Sequence, residues 1–123
     1  MFAEAYDKVK FTVSIKNNFE FHRLYSKGKS GGSALMVVYC RKTKRCVNRL
    51  GITVSKKLGN AVLRNKIRRR IREIYRTNED ELLSGFDLVI VARRGSTQAA
   101  YRELEADFLR LADRLGFRAG GLQ

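Results

Sequence analysis

The chain has 123 residues, 44% of them hydrophobic, which suits one folded domain and leaves too many apolar residues for a disordered chain. Twenty-six Lys and Arg stand against 12 Asp and Glu. The resulting net charge of +14 repels itself in a compact body and points to a polyanionic partner, nucleic acid first. An anionic membrane surface is the competing partner, and it requires an amphipathic helix with uncommitted bulky apolar residues. The longest apolar runs, Ala34 to Cys40 and Leu88 to Ala92, fall well short of the ~20 residues that span a bilayer. The N-terminus carries Glu4 and Asp7 and lacks the pattern of a secretory signal, so the cytoplasm is the expected compartment.

Residues 1–12 match no pattern and are assigned no element. Residues 17–27 are predicted helical: Asn17 or Asn18 can cap, and Phe21, Leu24 and Tyr25 share a face. The glycine-rich segment from Lys27 to Ser33 reads as a flexible loop. Ala34 to Arg41 reads as a strand and Val47 to Val54 as its partner, joined by a polar hairpin turn over Arg41 to Cys46. Cys40 and Cys46 lie beside that turn. Their spacing fits neither C-x-x-C nor a zinc site, so two free thiols are expected, with a cross-strand disulfide as the alternative.

Gly59 and Asn60 open a helix that runs to about Thr77. Asp87 to Arg93 is an apolar run flanked by charge, as in a strand buried on both faces. Thr97 to Leu115 is the clearest helix: Tyr101, Leu104, Phe108, Leu111 and Leu115 step by three and four, and Gly116 stops it. Residues 117–123 read as a flexible tail. The order α-β-β-α-β-α predicts an α+β fold, an α-β sandwich with helices packed on a small central sheet, as a single domain.

The helix after Asn60 is the informative stretch. Between Arg64 and Arg76 it carries a dense basic run with Glu73 as the one acid. Leu63, Ile67, Ile71 and Ile74 form an apolar stripe for the core. Asn65, Arg69, Arg72 and Arg76 project from the other side, flanked by Arg64 and Arg68. A merely solvated face usually mixes signs to gain i,i+4 pairs. Consecutive Arg68, Arg69 and Arg70 instead suit phosphate, which the planar guanidinium can bind through two bonds. Upstream, Lys56 and Lys57 join a strand to this helix without the glycine pattern of a nucleotide-binding loop, so an RNA backbone suits them better than a nucleoside triphosphate.

Phe21, Tyr25 and Tyr39 have two readings that periodicity does not separate: core residues, or platforms for stacking single-stranded bases in a basic groove. Signals for an independent enzyme are weak. His22 is the lone histidine, and Glu79, Asp80 and Glu81 suit the closing of a helix better than the holding of a metal.

The segment from Gly51 to Arg69 resembles the signature of the bacterial ribonuclease P protein family: a strand ending in S-K-K, then G-N-A-V, then R-N-R, then a basic helix. Asn18 to Gly28 resembles the family's first helix, and Asp87 to Arg94 its buried strand ending in A-R, so the likeness covers roughly residues 13–115. Lys66 departs from the family's usual arginine, keeping the charge and losing the planar fork. The resemblance implies a left-handed β-α-β crossover and a ribonucleoprotein endonuclease that removes the 5′ leader of precursor tRNA. Hydrolysis would reside in the RNA subunit with Mg2+ bound mainly by RNA. The implied partners are the catalytic RNA and precursor tRNA, with no protein partner required and no membrane. Arg64, Asn65, Lys66, Arg68, Arg69 and Arg72 would meet the catalytic RNA. Phe21, Tyr25 and Tyr39 would line a leader cleft, with Lys56 and Lys57 near the junction. The alternative function is a non-enzymatic RNA-binding module such as a ribosomal protein.

Overall fold

The computed structural model describes residues 12–14 and 18–119. Its elements are β1 (Thr12–Ser14), α1 (Asn18–Lys27), β2 (Lys29–Gly32), β3 (Met36–Lys42), β4 (Asn48–Thr53), α2 (Ala61–Thr77), β5 (Phe86–Ala92) and α3 (Tyr101–Leu115). The strands form one sheet in the order β1-β4-β5-β3-β2. The expected α-β-β-α-β-α order holds for the longer elements, and two short strands are added to it.

The arrangement follows from β5. Leu88, Val89 and Ile90 are fully buried, so this strand needs cover on both faces and partners on both edges. Leu88, Ile90 and Ala92 join Met36, Val38, Cys40 and Leu50 in the main core beneath α2 and α3. Val89 points the other way and packs with Leu24 of α1. α2 contributes Ile67, Ile71 and Ile74 to the main core, and α3 contributes Leu104, Phe108 and Leu111. Asn48 ties the layers together: its amide donates to the Tyr75 hydroxyl (3.1 Å) and the Leu83 carbonyl (3.0 Å) and accepts from the Phe86 N–H (2.9 Å).

Four sequence expectations change. First, β3 and β4 do not form a hairpin. β5 lies between them, antiparallel to β3 and parallel to β4, because the most apolar strand takes the centre. The polar segment after β3 therefore crosses the start of β5, and Cys40 and Cys46 are free thiols, one buried and one exposed. Second, the glycine-rich segment is an edge strand, β2, paired with β3 from Lys29↔Cys40 to Gly32↔Val37. Weak propensity is overridden by the vacant edge of β3, and an added side chain at Gly28 would meet the Cys40 and Leu24 carbonyl oxygens at 2.8 Å. Third, the last helix begins at Tyr101, where the Glu103 carboxylate accepts from the Ala100 N–H (2.8 Å), and Arg94–Thr97 forms a separate 3₁₀ turn. Fourth, residues 117–119 are docked. Phe117 is fully buried, and Arg118 pairs with Glu81 (2.8 Å) and Asp113 (3.1 Å). Residues 120–123, 1–11 and 15–17, the last including the candidate cap Asn17, lie outside the described residues.

The two faces of α2 separate energetically. Ile67 is 2% exposed, so Ile67→Ala is expected to cost about 2–5 kcal/mol through the cavity it leaves. Arg69→Ala, on the exposed side, is expected to leave the melting temperature nearly unchanged. Thermal melts of the two variants check the helix orientation.

Candidate nucleic-acid interface

The start of α2 is built by Gly59 and Asn60. Gly59 adopts a φ of +151°, and a side chain there would collide with Leu63 at 2.6 Å. The Asn60 side chain accepts from the Leu63 N–H (2.9 Å) and caps the helix. Just before it, the Ser55 hydroxyl accepts from the Lys57 N–H (3.1 Å) and sets a 3₁₀ turn that leaves Lys56 and Lys57 exposed. The first turn of α2 holds no acid, so the helix dipole adds to the attraction for anions.

Along α2 the cations divide into two groups. Arg64 donates to the Gly59 carbonyl (3.1 Å), Arg68 to the Asn65 side chain (3.0 Å) and Arg70 to the Ala99 carbonyl (3.2 Å). Arg76 pairs with Glu73 (2.6 Å). That hydrogen bond, reinforced by the charge attraction, lowers the Glu73 pKa and raises that of Arg76. Among the described residues Lys66, Arg69 and Arg72 have no hydrogen-bonded or ion-paired partner. The open charge thus runs along the exposed side of the helix and ends where Glu73 neutralises Arg76. Val62, the last residue of the G-N-A-V segment, stands 78% exposed at the head of this strip, one turn before Asn65 and Lys66.

On the opposite face of the sheet lie the three aromatic residues. The Tyr25 and Tyr39 rings meet edge-on at 4.8 Å, and Phe21 and Tyr25 are 6.4 Å apart. Phe21 and Tyr39 are half-buried against Leu24 and Val89, while Tyr25 is 39% exposed. The cluster therefore stands apart from the main core, whose buried aromatic residues are Tyr75, Phe86, Phe108 and Phe117. His22 lies edge-on to Tyr25 at 6.2 Å.

Among the described residues no group of three or more His, Cys, Asp or Glu gathers where a metal ion could be held. Burial pushes the Cys40 thiol up, away from nucleophilic use, with Lys29 pulling it partly back. No described helix is long and apolar enough to cross a membrane.

A cationic helix on one side of an α-β sandwich and a part-exposed aromatic cluster on the other define an RNA-binding protein. Residues 10–116 match the family model described as Ribonuclease P. The chain is 42% identical over 103 residues to a ribonuclease P protein component of Clostridium botulinum, covering 83% of this chain and 93% of that one. The RNase P protein of Staphylococcus aureus superposes with a TM-score of 0.76 at 38% identity, covering 82% of this chain and 93% of that one. The Thermotoga maritima protein gives 0.76 at 31%, covering 82% and 96%. The chain belongs to the bacterial ribonuclease P protein component family, and as such it is the protein subunit of a ribonucleoprotein endonuclease that acts on precursor tRNA.

Proposed function

We propose that the two sites divide the work between two RNA partners. The exposed strip on α2 binds the catalytic RNA: Lys66, Arg69 and Arg72 offer open charge, while Arg64, Asn65 and Arg68, already held by local hydrogen bonds, meet phosphate with little further ordering. Phe21, Tyr25 and Tyr39 receive the single-stranded 5′ leader, and Lys56 and Lys57 sit near its junction with the mature tRNA. The observation that carries this reading is the part-exposed, contacting aromatic cluster on a face separate from the main core.

Leader removal is hydrolysis of one phosphodiester bond, and the residues on this chain suit binding and orientation. The Mg2+ ions of the holoenzyme would be held by RNA, where such ions activate water and neutralise charge on the reacting phosphate. The protein's own cations offset phosphate repulsion where two RNAs approach, lowering the Mg2+ concentration needed for assembly. The cytoplasm, where precursor tRNA is processed, is the proposed location.

Cleavage of a precursor tRNA by the folded catalytic RNA, measured at low Mg2+ with and without the protein, tests the assignment. A rise of at least tenfold on adding protein is expected. An unchanged rate across Mg2+ concentrations would reduce the protein to a passive RNA binder.

A further inference from the structure

We propose that an open basin at the start of β5 is a further phosphate-binding site, and that it holds the part of the leader furthest from the cleavage junction. This rests on the leader reading of the aromatic cluster. The basin has a volume of about 750 Å³ and is lined by Arg23, Arg41, Lys42, Lys44, Arg45 and Arg49, with Asp87 as its one acid.

The basin is constructed, and is more than a patch on a basic protein. The segment after β3 crosses β5 and is fastened there: the Thr43 N–H and hydroxyl both donate to the Gly85 carbonyl, at 2.7 and 3.0 Å. Gly85 has a φ of +90°, and a side chain on it would sit 2.9 Å from the Arg45 carbonyl oxygen, so the crossing requires glycine. Lys42, Lys44 and Arg45 are therefore carried by an anchored segment. Beneath it, buried Asp87 accepts two bonds from Arg49, at 3.0 and 2.8 Å, with Arg45 within 3.9 Å. That carboxylate fixes the Arg49 fork and leaves a large excess of positive charge above it.

Register places the basin on the leader's path. Three cross-strand rows follow one another on this face: Thr53–Val91–Val37, then Gly51–Val89–Tyr39, then Arg49–Asp87–Arg41. Each row is about 7 Å beyond the last. Lys56 and Lys57 follow the first row in the chain, Tyr39 stands in the second, and the basin opens at the third. A single strand running from the two lysines past the aromatic residues arrives there, and extended single strands are bound by this alternation of stacking and charge.

The test is a series of precursor tRNAs with progressively longer leaders, bound to the holoenzyme containing wild-type protein or Lys44→Ala/Arg45→Ala. Both side chains are exposed, and Arg49 still neutralises Asp87 in the variant. Lys42→Ala/Lys44→Ala, which leaves every Asp87 contact intact, serves as the second variant. Wild-type affinity should rise as the leader lengthens past the aromatic cluster. The variants should lose that increment, roughly tenfold, and the salt dependence for long leaders should flatten by about 1.4 in log–log slope for two lost contacts. Equal loss for short leaders and mature tRNA would overturn the proposal by placing the basin on another RNA surface, and no loss would overturn it outright. A Phe21→Ala/Tyr25→Ala arm keeps the two readings apart. If that variant weakens precursor and mature tRNA equally, or weakens neither, the leader reading fails; if it weakens precursor alone while the basin variants keep the full wild-type gain with leader length, only the basin proposal fails.

Discussion

Replacing Arg68, Arg69 and Arg72 together by alanine is expected to weaken binding of the catalytic RNA by about 10²–10³-fold. The figure follows from three charge-assisted hydrogen bonds at roughly 1.5 kcal/mol each, partly offset by relief of repulsion among the arginines. The plot of log K against log salt should become shallower by about one unit per lost phosphate contact, close to three in all. Melting should change little, because Arg69 and Arg72 are exposed and the Arg68 bond to Asn65 lies at the surface. An unchanged salt slope would rule out phosphate contacts by these residues whatever the loss of affinity. The separation is possible because the helix buries one side and not the other: Ile67, Ile71 and Ile74 are each at most 2% exposed.

That helix was legible in the sequence because its two periodicities do not compete. Apolar residues recur at helical spacing on one side and cations fill the other, while Gly59 and Asn60 mark the start in residue types with few other uses. The buried central strand was legible for a similar reason: an unbroken apolar run between charges has few places to go. Strand order was not legible. A short polar segment between two β-rich stretches reads locally as a hairpin turn, and only competition for the centre of the sheet, won by β5, shows that the segment must cross over. Local reading also missed β2, because Lys29–Gly32 has poor strand propensity and acquires its structure from β3 and from the α3 residues Leu111 and Leu115 against Gly31.

The basin exists because of the same crossing. With β3 and β4 read as a hairpin, Arg41, Lys44 and Arg45 belong to an exposed tip, and Asp87 has no connection to Arg49. With β5 inserted, Arg41, Asp87 and Arg49 become one cross-strand row, and the polar segment becomes its roof. The charges were plain in the sequence, but their convergence is a consequence of topology.

The Phe21→Ala/Tyr25→Ala variant is expected to assemble with the catalytic RNA as the wild type does, because neither residue lies on α2. It should bind precursor tRNA more weakly and mature tRNA about as before, since the leader alone distinguishes the two. Stacking on an aromatic side chain is worth about 1–3 kcal/mol per base, so the loss of even one platform is roughly a fivefold effect or more. A structural role makes the opposite forecast, in which the melting temperature falls and both tRNAs lose affinity together. Phe21 does pack against Leu24 and Val89, so some loss of stability is expected from its removal. Tyr25 is the cleaner probe: it is the most exposed of the three rings, and its ring contacts are with Phe21, His22 and Tyr39. Tyr25→Ala should therefore shift precursor affinity with little change in melting, and Tyr25→Phe, which keeps the ring and removes only the hydroxyl, should restore it. Failure of phenylalanine to rescue would assign Tyr25 a hydrogen bond in place of a stacked base.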